Sequence, residues 1–186
     1  MKRKGFTLIE LVVVIVILGI VAVAVAPKFL NIQTSARISS LDGIANAFRG
    51  AITQVQSKAY IKGLMPSNQN PGGTNQDEYI LDFGIGSVEV DWGTLCPESI
   101  GESGEALTML DFLSLSLGND ITTAIGNRHT VVGYKHSFTT NELNSENIPT
   151  LPSGCYVLYD SFGGRQTSLC PQNGCECSVR VEKSGC

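Results

Sequence analysis

Cysteine is missing from the first half of this 186-residue chain, with none before Cys96. That excludes a lipid-modified lipoprotein, which needs an early cysteine to carry the lipid. Histidine occurs only at 129 and 136, and the single tryptophan is Trp92. No glycine–lysine phosphate loop, no G-x-S-x-G elbow and no H-E-x-x-H pair occurs, and the carboxylates are scattered without a partner pattern. The chain therefore reads as a non-enzyme, with no cofactor and no resident metal. Charge is also scarce: 16% of residues, with a formal net of −4. This rules out a strongly basic nucleic-acid binder, and the 42% hydrophobic content rules out a disordered or collagenous chain.

What charge there is lies unevenly. Lys2, Arg3 and Lys4 give residues 1–5 a charge of +3, residues 6–62 carry +3, and residues 63–186 carry −10. All six cysteines fall in that last, acidic part. Between the two ends, residues 6–26 read FTLIELVVVIVILGIVAVAVA, with one charge, at Glu10. A helix of that length spans about 30 Å, the thickness of a bilayer core. The basic residues before it hold the N-terminus in the cytoplasm and send everything after Lys28 outside. A signal peptide would find a small-residue cleavage motif at Ala22-Val23-Ala24 or Ala24-Val25-Ala26. Against it stand the long apolar run, Glu10 at its start and Pro27 directly after the motif. An ordinary single-span anchor accounts for neither Glu10 nor the Lys-Gly-Phe junction.

The string Lys4-Gly5-Phe6-Thr7-Leu8-Ile9-Glu10, followed by an apolar run and Pro27, resembles the N-terminus of type IV prepilins. The continuation Ala26-Pro27-Lys28-Phe29 through Ala36-Arg37-Ile38-Ser39 is similar, more narrowly, to the mannose-sensitive haemagglutinin type of pilin. The resemblance implies cleavage between Gly5 and Phe6 by a prepilin peptidase and N-methylation at Phe6. The mature chain would carry a formal side-chain charge of −7. It also implies a precursor in the inner membrane that polymerises with copies of itself, and with minor pilins, into an extracellular pilus. An assembly ATPase and a membrane platform would drive this, and the fibre would serve adhesion, aggregation or motility. A pseudopilin of a type II-like secretion system shares this N-terminus, and a membrane-tethered binding domain that never polymerises is the alternative from another class.

Charge within a bilayer is costly, at least ~2.5–3.5 kcal/mol at its centre, and a buried carboxylate needs a cation. The only cation this segment offers is the amine created at Phe6, with the Thr7 hydroxyl adding a hydrogen bond. Phe6, Thr7 and Glu10 are therefore expected to set the register of assembly, because an ion pair penalises every wrong axial offset. Gly19 and Pro27 weaken the helix, as a kink or, by the resemblance, as a stretch that extends within a fibre.

After Pro27 the pattern becomes one-sided. Leu41, Ala45, Phe48, Ile52, Val55 and Ala59 form the stripe of a helix lying on a core. A helix over 6–62, about 85 Å long, is expected to end at Gly63 and Pro66. Residues 66–78 form a loop by composition, short strands are expected at 79–83, 87–92, 130–138, 155–160 and 177–182, and a second helix at 105–117. The whole is an α+β architecture, the type IV pilin fold by resemblance. It comprises a leader at 1–5, a helix at 6–62 whose 6–26 part spans the membrane, and a head at 63–186 with an antiparallel sheet wrapped on the helix.

Cys96, Cys155, Cys170, Cys175, Cys177 and Cys186 lie on the exported side, where three disulfides are expected. A Cys175–Cys177 bond is disfavoured by its i, i+2 spacing, and the remaining connectivities stay open. A metal site combining Cys170, Cys175 and Cys177 with His129 or His136 is the competing reading, but it fits no paired C-x-x-C pattern. The acidic head argues against DNA as a partner, although Arg128, Lys135, Arg165, Arg180 and Lys183 allow a local basic patch. Trp92 and the tyrosines offer faces to a sugar, although a lone tryptophan is more often core. The external surface or receptor is not legible.

Overall fold

A computed structural model of the chain describes residues 5–101, 106–113, 118, 120–146, 148–163 and 176–186. The chain divides into two compact units, Met1–Arg37 and Ile38–Cys186. Helix α1 (Leu8–Ile61) supplies the described helical residues of the first and the spine of the second. Its backbone stays helical through Gly19 and Pro27. Its C-terminus closes as a Schellman motif: Leu64 N–H donates to Ala59 O at 3.0 Å and Gly63 N–H to Tyr60 O at 3.0 Å. Gly63 takes φ +88°, a conformation that a Cβ penalises, so the helix stops where the glycine stands.

In the second unit α1 is buried along the expected stripe. Leu41, Ala45, Phe48, Val55 and Ala59 are fully buried, Ile44 and Ala51 join them, and Ile52 is partly buried. Two small sheets follow. β1 (Ile80–Asp82) pairs antiparallel with β2 (Ser87–Glu89), which pairs in parallel with β3 (Ala106–Leu107). Four antiparallel strands make the second sheet in the order β4 (Thr122–Ile125), β5 (His129–Lys135), β6 (Cys155–Asp160), β7 (Ser178–Glu182).

β6 holds this unit together, because both of its faces are covered. Cys155, Val157 and Tyr159 enter the core with Leu41, Ala45 and Phe48, and the Phe48 and Tyr159 rings stack at 5.5 Å. Tyr156 and Leu158 point to the other side, into a cluster with Val131, Leu143 and Ile148. Leu143 comes from a one-turn helix, α2 (Thr140–Leu143). A third cluster sets Val55 and Ala59 against Leu81, Val88, Val90 and Leu95 of the smaller sheet and its following loop. Each fully buried Leu, Phe or Val stabilises the fold by ~1.5–3 kcal/mol relative to leaving it exposed.

Three expectations need correction. The described part of the helix expected at 105–117, residues 106–113, is not an α-helix: it is β3 followed by a single 3-10 turn, Met109–Phe112. Thr108 caps that turn, its N–H and Oγ1 both donating to Asp111 Oδ2, and this drives Met109 and Leu113 onto α1. The single antiparallel sheet is two sheets, one with a parallel pair, because β3 returns beside β2 after a long connection. β4 and α2 are additions to the expected set of elements.

His129, the first residue of β5, is fully buried. Its Nδ1 lies 3.0 Å from Leu143 O, and a carbonyl only accepts, so Nδ1 carries the proton. Nε2 is left 3.8 Å from Asp160 Oδ2 and is the site of further protonation. Burial holds the pKa of His129 below the usual histidine value, a lowering that Asp160 only partly offsets and to which Arg180 and Arg128 add. His136 is lowered by burial too. The unfolded chain then takes up protons first, near pH ~6.5. Stability is complete above that value and falls as pH drops through it toward the lower folded values. We expect the melting temperature to fall between pH ~7.5 and ~5 and the fall to shrink in a His129→Gln variant. A flat profile across that window contradicts the assignment.

Candidate assembly segment

Gly5, Phe6 and Thr7 precede the helix and are exposed, with the Gly5–Phe6 bond just ahead of the first helical residue, Leu8. Thr7 is the N-cap. Its N–H and Oγ1–H both donate to Glu10 Oε2, at 2.8 and 2.7 Å, and Glu10 N–H donates back to Thr7 Oγ1 at 3.3 Å. This is a capping box, which satisfies two of the amides that a helix start leaves without partners. The Thr-x-x-Glu spacing announces it in the sequence, a signal separate from the expected pairing of Glu10 with the Phe6 amine. Both Thr7 bonds go to one oxygen, so Oε1 points away with no bond to any described residue.

Beyond the cap, the apolar side chains have nothing of their own chain to pack on. Ile9 is 71% exposed and Ile20 68%, and none of the helix's most apolar stretch is buried. This is the one described helix long and apolar enough to cross a membrane. Neither Gly5 nor Gly19 is required by crowding or by backbone angle: an added Cβ meets nothing within 4 Å, and neither has positive φ.

The cysteines belong to the second unit. Cys96 bonds Cys177 and Cys155 bonds Cys186, with Cα–Cα distances of 6.2 and 4.8 Å. The first bond draws the segment before β7 toward the loop after β2. The second pins the C-terminal residue to the start of β6, and nearby Lys183 Nζ meets Asp42 Oδ1 of α1 at 2.8 Å. Cys170 and Cys175 lie outside the described residues. The alternative metal site loses Cys177 to a disulfide and His129 to the core. Among the described residues no cluster of three metal-ligating side chains occurs.

The family of the prokaryotic N-terminal methylation motif matches residues 1–26. The type IV narrow pilus major component PilA5 of Thermus thermophilus is 45% identical over 60 residues, 31% of this chain and 52% of its own. A fimbrial protein of Neisseria meningitidis serogroup A is 34% identical over 94 residues, 50% of this chain and 53% of its own. The type IV major pilin PilE of Neisseria gonorrhoeae is 30% identical over 94 residues, 50% and 54% of the two chains. The chain thus spans about half the length of the curated relatives it matches. No solved structure matches. The chain is thus similar to type IV pilins over half of its length or less, with the methylation motif at residues 1–26 and the exposed bilayer-length helix behind it.

Proposed function

We propose that this chain is the structural subunit of a type IV pilus: a membrane-anchored precursor, cut after Gly5 and methylated at Phe6, that polymerises into a surface filament. The observation that carries the reading is the unpartnered apolar helix with a single capped carboxylate at its start. Such a surface is stable in lipid, or among copies of itself, and nowhere else. The glycine at position 5 supports cleavage. Its own structure makes no demand for a missing side chain, so the demand comes from a pocket that reads the Gly5–Phe6 bond. The prepilin peptidase, an assembly ATPase with its membrane platform, and minor pilins are the partners this reading calls for. The narrower affinity to mannose-sensitive haemagglutinin pilins rests on residues 26–39 alone, and the relatives named above are other pilins.

Shearing the surface of cells that express the chain tests the proposal. We expect fibres composed mainly of this protein, beginning at a methylated Phe6. Gly5→Leu is expected to leave a precursor five residues longer, in the membrane fraction, with no fibres. Fibres that retain residues 1–5, or sheared material with no fibres at all, would sink the reading in favour of a tethered domain.

A further inference from the structure

β1 is an outer strand of its sheet, with β2 on one side only. Such an edge offers a row of amides and carbonyls to any passing strand. The register decides which groups face outward. Val90 N–H donates to Tyr79 O at 3.0 Å and Phe83 N–H to Gly86 O at 2.8 Å. Odd-numbered residues therefore bond β2, and the main-chain groups of 78, 80 and 82 turn away from it. Lysines of α1 take the carbonyls of all three. Lys62 Nζ donates to Glu78 O at 2.6 Å and to Ile80 O at 2.8 Å, and Lys58 Nζ donates to Asp82 O. The Ile80 N–H is used too, by Asp77 O of the 3-10 helix Gly73–Tyr79.

The match is geometric. Residues four apart on a helix stand about 6 Å apart along its axis, and residues two apart on a strand about 6.7 Å. Lysines at 58 and 62 therefore meet carbonyls at 82 and 80 as the strand runs back along the helix. Lys58 also lies 4.3 Å over the Phe83 ring, which directs its stem and leaves the ammonium at the edge. Lysines that only capped α1 would bond its own last carbonyls, whereas these two reach across to the sheet. Each ammonium fills the place that an incoming N–H would occupy. We propose that Lys58 and Lys62 bar the β1 edge to strand addition by a second copy of this chain. A second copy is the strand to exclude, because the membrane anchoring proposed above gathers like chains together. Antiparallel pairing of β1 with itself would set Ile80 of each copy against Asp82 of the other, exchanging the outward groups of both.

The test compares the full-length chain with Lys58→Met/Lys62→Met in phosphocholine micelles, by sedimentation equilibrium at high salt. Methionine keeps the length and the apolar stem but donates no hydrogen bond. Salt screens Asp77, Glu78 and Asp82, so like charge is not what holds copies apart. The double variant is expected to lower the dimer dissociation constant about tenfold or more against the parent. Adding Asp82→Pro, which removes an outward N–H that β2 does not use, should return association to the parent level. Where the double variant fails to fold, Lys62→Met alone, made at an exposed side chain, carries the same expectation. Association no tighter than the parent's in the folded variant overturns the proposal. So does tighter association that survives Asp82→Pro, because the new methionines and not the strand edge would then be the adhesive. The apolar stretch of α1 is the same in every form, so a failure to form fibres would overturn the proposed function and leave this comparison intact.

Discussion

Glu10→Ala is expected to leave the chain inserted in the membrane and cleaved, yet almost without surface fibres. In the proposed filament the carboxylate would be held away from water, and the amine that cleavage after Gly5 would create at Phe6 is the one cation its own segment would supply. Removing one member of a buried pair strands the other, at about 3–5 kcal/mol. That corresponds to roughly two to nearly four orders of magnitude in subunit association. The Thr7–Glu10 capping box offers a competing explanation, since alanine also destroys the cap. Glu10→Gln separates the two. Glutamine serves in a capping box but carries no charge. We expect Glu10→Gln to be nearly as fibre-deficient as Glu10→Ala, counted by electron microscopy against membrane-bound subunit. If glutamine restores normal fibre yield, the residue caps the helix and the ion pair has no part in assembly.

The second large effect is expected from the cysteines. Cys96–Cys177 closes a separation of 81 residues and Cys155–Cys186 one of 31. Loop-closure entropy puts each at ~3–5 kcal/mol, larger for the longer loop, in a unit whose net stability is of order 5–15 kcal/mol. For a unit of this size that is about 10 °C or more in melting temperature. The double variants Cys96→Ala/Cys177→Ala and Cys155→Ala/Cys186→Ala should each melt well below the parent, the first by more. Two variants that both melt within about 2 °C of the parent would show that packing on β6 alone sets the stability.

Part of this architecture is legible in the residue pattern alone. The stripe on α1 is, because helical periodicity is local and Leu41, Ala45, Phe48, Val55 and Ala59 must share one face. The two faces of β6 are as well: Cys155, Val157 and Tyr159 alternate with Tyr156 and Leu158, and the two sets enter different clusters. Residues 105–117 mislead, because a short apolar run fits helix and strand equally and the Thr108–Asp111 cap serves only a single turn. β4 is an edge strand of four residues with a half-exposed pattern, which leaves little alternation to detect. α2 has a sign in Thr139-x-x-Glu142, the same capping spacing as at Thr7, but four helical residues are too few to show a period.

The sequence by itself determined the exposed apolar helix and its cap. Thr7, Glu10 and a bilayer-length apolar run act through transfer free energy and local bonding, which need no knowledge of distant residues. Tertiary structure alone decided which cysteines meet, that His129 is buried beside Asp160, and that Trp92 stands in a cleft with Glu89, Glu98 and Asn127. Most of those juxtapositions join residues tens of positions apart. They are fixed only when the sheets close on α1, because packing settles which distant side chains share a volume.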